Sequence, residues 1–183
     1  MVRKIFLTLL EKTRWNLFFI VGFTFIASCT KTDKEIPFFK VIEKGMELPV
    51  STIKNISGKK LVLSKQEANF KMLHFWATWC VPCVKELPEI RKFQKRFINK
   101  VDIVLINYGE STEDILQYQK KIELPLATYL DSDLVWSEHF SVEGLPTTFL
   151  LDPDLKVIAI ATGMRKWEDI GKQNQFEDFL EQY

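Results

Sequence analysis

Two cysteines, Cys80 and Cys83, are separated by two residues and form the one close pair among the three cysteines of the chain. Such a pair can close a disulfide within a single helical turn and open it again by thiol–disulfide exchange. The third cysteine, Cys29, stands alone at the end of an apolar stretch. A chain of 183 residues can bury a core without disulfide staples. The pattern therefore indicates that the cysteines serve chemistry rather than the stability of the fold.

The segments that flank the pair predict that it opens a helix. Phe70–Trp76 is an apolar run of strand length, and apolar residues then recur at helical spacing over about 81–98. A helix N-terminus offers unpaired N–H groups and a partial positive charge, which favour a thiolate over a thiol. Cys80, at the outer edge of the first turn, is therefore the predicted nucleophile. Cys83, one turn further in, is the predicted resolving thiol.

Alternating β-like and helix-like segments follow on both sides of this helix. Two short β-rich runs around the turn at 55–58 predict an N-terminal hairpin, and 64–67 has the spacing of a helix capping box. Further strands are predicted at 101–107, 126–130, 147–151 and 157–162. Further helices are predicted at 111–122, 134–140 and 167–180. This order predicts an α/β sandwich with a mixed sheet.

Composition and charge limit the class of function. Hydrophobic residues make up 46% of the chain and charged residues 27%, which is typical of globular proteins. The net charge is +1, with acidic and basic residues interleaved, whereas a nucleic-acid surface needs a basic excess on one face. We therefore expect one globular domain that binds no nucleic acid.

The first 28 residues have the pattern of an export signal, in which basic residues precede the apolar run Trp15–Ala27. That run of about 13 residues is too short to cross a hydrocarbon core of roughly 30 Å comfortably. It closes on Ala27-Ser28-Cys29, which resembles a bacterial lipobox. The resemblance implies cleavage after Ser28 and a diacylglycerol on Cys29, while an uncleaved signal anchor is the alternative. Both place the chain in the cell envelope, with 29–40 as a tether and 41–183 as the domain.

Two segments resemble a known family. His74 to Cys83, which reads HFWATWCVPC, looks like the active-site segment of the thioredoxin superfamily and especially of its exported TlpA/ResA-like branch. Gly144 to Leu150, which reads GLPTTFL, looks like the second signature of that branch. Two motifs in the right order are more specific than either alone. The resemblance implies a thioredoxin-like three-layer sandwich with a mixed sheet, and the predicted hairpin is then an N-terminal extension.

The resemblance also implies roles for residues around the pair. In the family the proline is cis and lies against the cysteines, so Pro146 would hold the Leu145 backbone as a docking edge for an extended partner chain. Trp79 is expected to shape the same substrate-binding surface. Glu86 lies three residues after Cys83 on the same helical face, where the branch often carries a glutamate, and is a candidate proton shuttle. The alternative is a solvated glutamate that pairs with a lysine.

The reaction implied by the resemblance is dithiol–disulfide exchange without a bound cofactor. The implied direction is the reduction of disulfides in envelope proteins such as apocytochrome c, with reductant from a membrane electron donor. His74 departs from the family pattern, because that strand position usually holds a small polar or apolar residue.

Two other functions remain open, and no metal site is predicted as part of the main interpretation. A copper metallochaperone of thioredoxin fold would combine the two cysteines with a distant histidine, for which His139 is available. A peroxiredoxin-like peroxidase would use a threonine near the cysteine, but Thr78 lies two residues before Cys80 instead of three.

Overall fold

A computed structural model of the chain describes residues 36–42, 48–49, 52–63, 69–121, 124 and 126–183. Residues Glu35–Tyr183 form one compact unit. The predicted signal segment with Cys29 and the predicted capping box at 64–67 lie outside the described residues.

The described strands form one mixed sheet of seven strands. They are β1 (Lys40–Val41), β2 (Lys54–Asn55), β3 (Phe70–Trp76), β4 (Val101–Tyr108), β5 (Thr128–Asp131), β6 (Thr147–Leu151) and β7 (Val157–Thr162). The helices are α1 (Val81–Arg96), α2 (Thr112–Gln119), α3 (Val135–His139) and α4 (Ile170–Gln182). The strand order is β1-β7-β6-β3-β4-β5-β2, in which β3, β4 and β5 are mutually parallel and the other pairings are antiparallel. The predicted α/β sandwich with a mixed sheet is confirmed.

The central strand β3 is buried along its whole length because helices cover both faces of the sheet. Its side chains alternate between two cores. Met72 and Trp76 belong to the core beneath α1, α2 and α4, which we call the α1 core. Leu73 and Phe75 belong to the opposite core, to which α3 contributes Trp136. This alternation decides which face each residue of β3 presents to α1.

Caps explain where the helices begin and end. Ser111 and Asp114 form the capping box of α2. The closing helix α4 begins at Ile170, three residues later than predicted, because the Asp169 side chain caps it by accepting from the Lys172 N–H at 3.1 Å. Trp167, which the sequence pattern assigns to this helix, is a fully buried residue of the preceding loop.

The N-terminal edge of the compact unit lies earlier than the predicted domain boundary at residue 41. Ile36 and Phe38 are buried in the α1 core, and the Phe38 ring centroid lies 5.2 Å from that of Trp167. The strand β1 then pairs with β7. The end of the segment predicted as a tether is therefore part of the packed domain, because its short apolar run has no periodicity that would show it as core.

The predicted hairpin is present and shorter than expected. Lys54 bridges Lys60, and the Leu61 N–H donates to the Ile53 carbonyl at 2.9 Å. The Asn55 side chain closes the turn by accepting from the Lys59 N–H at 2.9 Å. The hairpin joins the main sheet through the pairing of β2 with β5.

Candidate active site

The cysteine pair lies where the sequence predicts it, at the N-terminus of α1. Cys80 and Cys83 form a disulfide with a Cα–Cα distance of 5.3 Å. Cys80 is the N-cap residue, and its sulfur accepts from the Cys83 N–H at 3.3 Å. The first turn of this fully described helix carries no acidic side chain. The N-terminal N–H groups therefore act on the Cys80 sulfur without an opposing charge from that turn, which favours its thiolate when the pair is reduced.

The two cysteines differ in their surroundings. The Cys83 side chain is completely buried, whereas Cys80 keeps 5% of its surface exposed beside Trp79, which is 63% exposed. A partner disulfide can therefore reach Cys80 and not Cys83. This geometry suits the predicted division into nucleophile and resolving thiol.

The second motif supplies the loop before β6. The Leu145–Pro146 peptide bond is cis, as the resemblance implies. Pro146 is buried, and its carbonyl accepts from the Gly163 N–H at 2.7 Å, which ties this loop to the end of β7. Leu145 is half-buried and packs against the α1 core, to which both cysteines belong.

Glu86 is buried, with 1% of its surface exposed. Its Oε2 accepts from the Arg165 backbone N–H at 2.9 Å. Burial raises the pKa of Glu86 to about 7, against the smaller opposing effect of the Arg165 amide. The alternative of a solvated glutamate paired with a lysine is wrong. A carboxyl with a pKa near neutrality, on the same helical face as the buried Cys83, can take up and release a proton at physiological pH.

His74 packs on Glu86 from the sheet. It lies on the face of β3 that Met72 and Trp76 also present to α1, and it is completely buried. Its Nδ1 is 2.9 Å from Thr148 Oγ1 on β6, and its Nε2 is 3.6 Å from Glu86 Oε1. Burial lowers the pKa of His74 to about 3, so the imidazole is neutral at physiological pH. In the sequence, His74 is visible only as a departure from the family pattern. The period of two along β3 indicates the face on which it lies but not its contact with Glu86.

A second buried carboxylate, which the sequence analysis also misses, holds the segment before the cysteines. Glu110 Oε2 accepts from the Thr78 backbone N–H at 2.8 Å and from Asn107 Nδ2 at 2.6 Å, and Oε1 accepts from the Thr78 hydroxyl. Asn107 lies near the carboxyl end of β4 and Glu110 just after it. Because β4 is parallel to β3, polar residues at this end meet the loop after β3. Polar residues at the end of a strand that runs parallel to β3 are therefore the sequence signal for this contact.

The bonded state of Thr78 weighs against the peroxidase alternative. Its hydroxyl and its N–H both donate to Glu110, so this threonine is engaged away from the Cys80 sulfur. The copper alternative would need His139 beside the cysteine pair. Among the described residues, no group of three or more histidine, cysteine, aspartate or glutamate side chains is arranged to hold a metal ion. His139 lies on α3 with its ring against Phe140, at a centroid distance of 5.3 Å.

Within the described ranges, no helix combines the length and the apolar character that a membrane crossing requires.

Comparison with known proteins places the chain in a family. It matches the AhpC/TSA family over residues 44–160. It is 35% identical over 123 residues to the thiol-disulfide oxidoreductase ResA of Bacillus subtilis (strain 168), and the aligned region covers 67% of this chain and 69% of the relative. It is 30% identical over 162 residues to ResA of Bacillus thuringiensis subsp. konkukian (strain 97-27), with 87% and 86% covered.

Solved structures agree on the fold. A thiol:disulfide interchange protein of the thioredoxin family from Chlorobium tepidum TLS superposes with a TM-score of 0.61 at 20% identity, over 76% of this chain and 99% of that one. The exposed lipoprotein thioredoxin Etrx1 of Streptococcus pneumoniae strain TIGR4 superposes with a TM-score of 0.61 at 19% identity, over 73% and 98%. The chain therefore belongs to the AhpC/TSA family, among its thioredoxin-like thiol–disulfide oxidoreductases.

Proposed function

We propose that this chain reduces disulfides in exported partner proteins, with apocytochrome c among the candidates. The observation that carries the proposal is the position of the cysteine pair. A partly accessible Cys80 lies at a helix N-terminus, and a buried Cys83 lies on the same helical face as a buried carboxyl whose pKa is near neutrality. Similarity to the ResA relatives supports thiol–disulfide exchange as the reaction, and reduction is the direction that the family resemblance implies.

The reaction runs in two exchanges. The Cys80 thiolate of the reduced pair attacks a partner disulfide, which forms a mixed disulfide and releases one partner sulfur as a thiolate. Glu86 then accepts the thiol proton of Cys83, and the Cys83 thiolate attacks Cys80. This closes the Cys80–Cys83 disulfide and releases the second partner sulfur. Two electrons pass from the cysteine pair to the partner, and the proton held by Glu86 returns to the departing thiolate.

Docking is assigned to the surface around Cys80, formed by Trp79 and the Leu145–Pro146 edge. The exposed indole offers a large apolar contact, and a backbone edge can pair with an extended chain of any sequence. A partner segment that is extended around its own cysteine fits such a surface better than a folded domain does. This favours unfolded or partly folded substrates.

The location is part of the same proposal. A diacylglycerol on Cys29 would tether the domain to the outer side of a membrane, near a membrane electron donor that reduces the pair again. The lipobox-like segment and the short apolar run before it support this location.

The equilibrium reduction potential of the Cys80–Cys83 pair tests the direction. The mature domain is equilibrated in glutathione or dithiothreitol buffers, and free thiols are trapped by alkylation. We expect a value of about −250 mV or lower, which marks a reductant. A value near about −120 mV would mark an oxidant and overturn the direction.

A further inference from the structure

His74 is a buried titratable group to which the reaction above gives no role. It lies on the central strand β3, and its side chain touches Thr148 on the neighbouring strand and Glu86 on α1. The His74 Nε2 and Glu86 Oε1 atoms are 3.6 Å apart, and neither has a hydrogen-bond partner among the described residues. Buried polar atoms are normally satisfied, so two such atoms that face each other need an explanation in what the two groups do together.

The imidazole of His74, the carboxyl of Glu86 and the hydroxyl of Thr148 can each donate or accept only certain hydrogen bonds, and this limits where the imidazole hydrogen lies. A neutral imidazole has one donor and one acceptor nitrogen, and an ionised carboxylate only accepts. A threonine hydroxyl can donate or accept. When Glu86 is ionised, the tautomer that fits all three places the hydrogen on the His74 Nε2, which faces Glu86 Oε1 at 3.6 Å, while the Thr148 hydroxyl donates to Nδ1. When Glu86 is protonated, the other tautomer fits, in which Nδ1–H donates to the Thr148 hydroxyl.

We propose that His74 is a positioning residue that holds Glu86 as a carboxylate ready to accept the Cys83 proton. This inference rests on the proton-shuttle role proposed for Glu86. The Nε2–H dipole lies 3.6 Å from Oε1 and stabilises the ionised carboxyl by a charge–dipole attraction that the neutral, protonated carboxyl lacks. His74 stays neutral before and after the transfer, so the proton passes from Cys83 to Glu86 without charging the imidazole.

Other charged and polar groups act on the same carboxyl and define what His74 adds. On α1, Cys83 lies one turn before Glu86, and the charge of Glu89 raises the pKa of Glu86. From the loop after β7, Arg165 lowers that pKa through its backbone N–H and its charge. The indole N–H of Trp167, in the same loop, lowers it as well, although its geometry falls short of a hydrogen bond. From the sheet, the group that faces Oε1 is His74.

The test measures how fast the resolving thiol acts as a function of pH. Thionitrobenzoate is attached to Cys80 of the mature chain as a mixed disulfide, and its release by Cys83 is followed by stopped-flow absorbance. His74→Phe keeps a flat ring and removes the N–H donor. We expect the midpoint of the pH profile to move alkaline by about one pH unit from the wild-type pKa of about 7, which lowers the ionised fraction of Glu86 at pH 7 from about one half to about one tenth. Release at pH 7 should then slow about fivefold, and the difference should disappear above about pH 9.

Two further variants separate positioning from packing. His74→Gln carries an amide N–H of similar reach and should return the midpoint of the pH profile close to that of the wild type. His74→Phe introduced into a Glu86→Gln background should leave the profile of Glu86→Gln unchanged, because the group that His74 acts on is gone. The carboxyl ¹³C shift of Glu86, titrated in the oxidised protein, reports the same pKa without kinetics, and His74→Leu replaces His74→Phe if the latter does not fold.

The outcomes distinguish this inference from the function on which it rests. If Glu86→Gln slows release and His74→Phe has the pH profile of the wild type, the role of His74 is overturned and the shuttle stands. If Glu86→Gln leaves release unchanged at every pH, the shuttle fails and the role of His74 fails with it. An alkaline shift in His74→Phe that His74→Gln reverses supports both.

Discussion

At the scale of single residues, folding in mildly acidic solution moves a proton from His74 to Glu86. Between about pH 4.5 and 6.5, the unfolded chain holds a proton on His74 and none on Glu86, since these are the ordinary pKa values of the two groups. In the folded protein burial lowers the pKa of His74 to about 3 and raises that of Glu86 to about 7, so the proton lies on Glu86. Both states then bind one proton, and the two linkage effects offset each other.

Because the two effects offset each other in the wild type, replacing either His74 or Glu86 alone should make the stability depend on pH. A falling pH protonates His74 in the unfolded state before the folded one, which destabilises the fold, while it protonates Glu86 in the folded state first, which stabilises it. Glu86→Gln removes the second effect. Its free energy of unfolding should fall by about 2 kcal/mol relative to the wild type as pH drops from 6.5 to 4.5.

Urea denaturation of the oxidised protein at several pH values in that window measures the effect. His74→Gln is the matched control with the opposite sign, because it removes the acid-destabilising group and should gain stability relative to the wild type over the same range. Parallel curves for all three proteins would show that the two groups do not titrate as their burial implies.

At the scale of the elements, the Thr78–Glu110 contact joins two loops that follow parallel strands. The loop after β3 carries Trp79 and Cys80, and the loop after β4 carries Glu110, whose backbone carbonyl also accepts from Ser132 Oγ at 2.7 Å. Three neighbouring loops of the sheet are thus joined through one residue, Glu110. The contact holds the backbone immediately before the nucleophile.

Glu110→Gln should destabilise the fold by about 1–3 kcal/mol, because one carboxylate oxygen becomes an NH₂ group that faces the donors of Thr78 or Asn107 and leaves one of them unsatisfied. Chemical denaturation measures the loss. Glu143→Gln, which changes an exposed loop residue in the same way, should stay within about 0.5 kcal/mol of the wild type. An equal effect of both substitutions would contradict the role of Glu110.

At the scale of the whole molecule, the thioredoxin-like domain follows an N-terminal segment with the predicted export signal and lipidation site. The packed unit begins within the segment predicted as a tether, which shortens the proposed link between Cys29 and the core. Two acyl chains on one cysteine suffice for stable anchoring, whereas a single chain holds a protein only marginally. We therefore expect the whole mature chain to stay at the membrane surface.

The full-length chain, expressed in a bacterial host with labelled palmitate, should carry the label, begin at Cys29 and enter the detergent phase on phase partitioning. Cys29→Ser should lose the label and the cleavage after Ser28. Cys80→Ser is the matched control and should keep both. A Cys29→Ser protein that is processed and partitions like the wild type would contradict lipidation, and an uncleaved N-terminus in both would support the signal anchor.

Much of this protein follows from local properties of its sequence. The order of strands and helices, the start of α1 at the cysteine pair and the capping box of α2 follow from periodicity and from nearest-neighbour chemistry, which act over a few residues. The loop at Leu145–Pro146 and the family follow from two motifs. The thioredoxin-like fold was therefore predictable, while β1 was not, because two residues that pair with a distant strand leave no periodic pattern.

Only the tertiary structure decided the proton chemistry of the site. Glu86 is solvated or buried depending on the loop that carries Arg165, about 80 residues away in sequence, and its pKa follows from that burial. The contacts of His74 with Thr148 and of Thr78 with Glu110 join residues 74 and 32 positions apart. A local pattern reports which face of an element a residue occupies, but desolvation and partnership depend on what the rest of the chain places against that face.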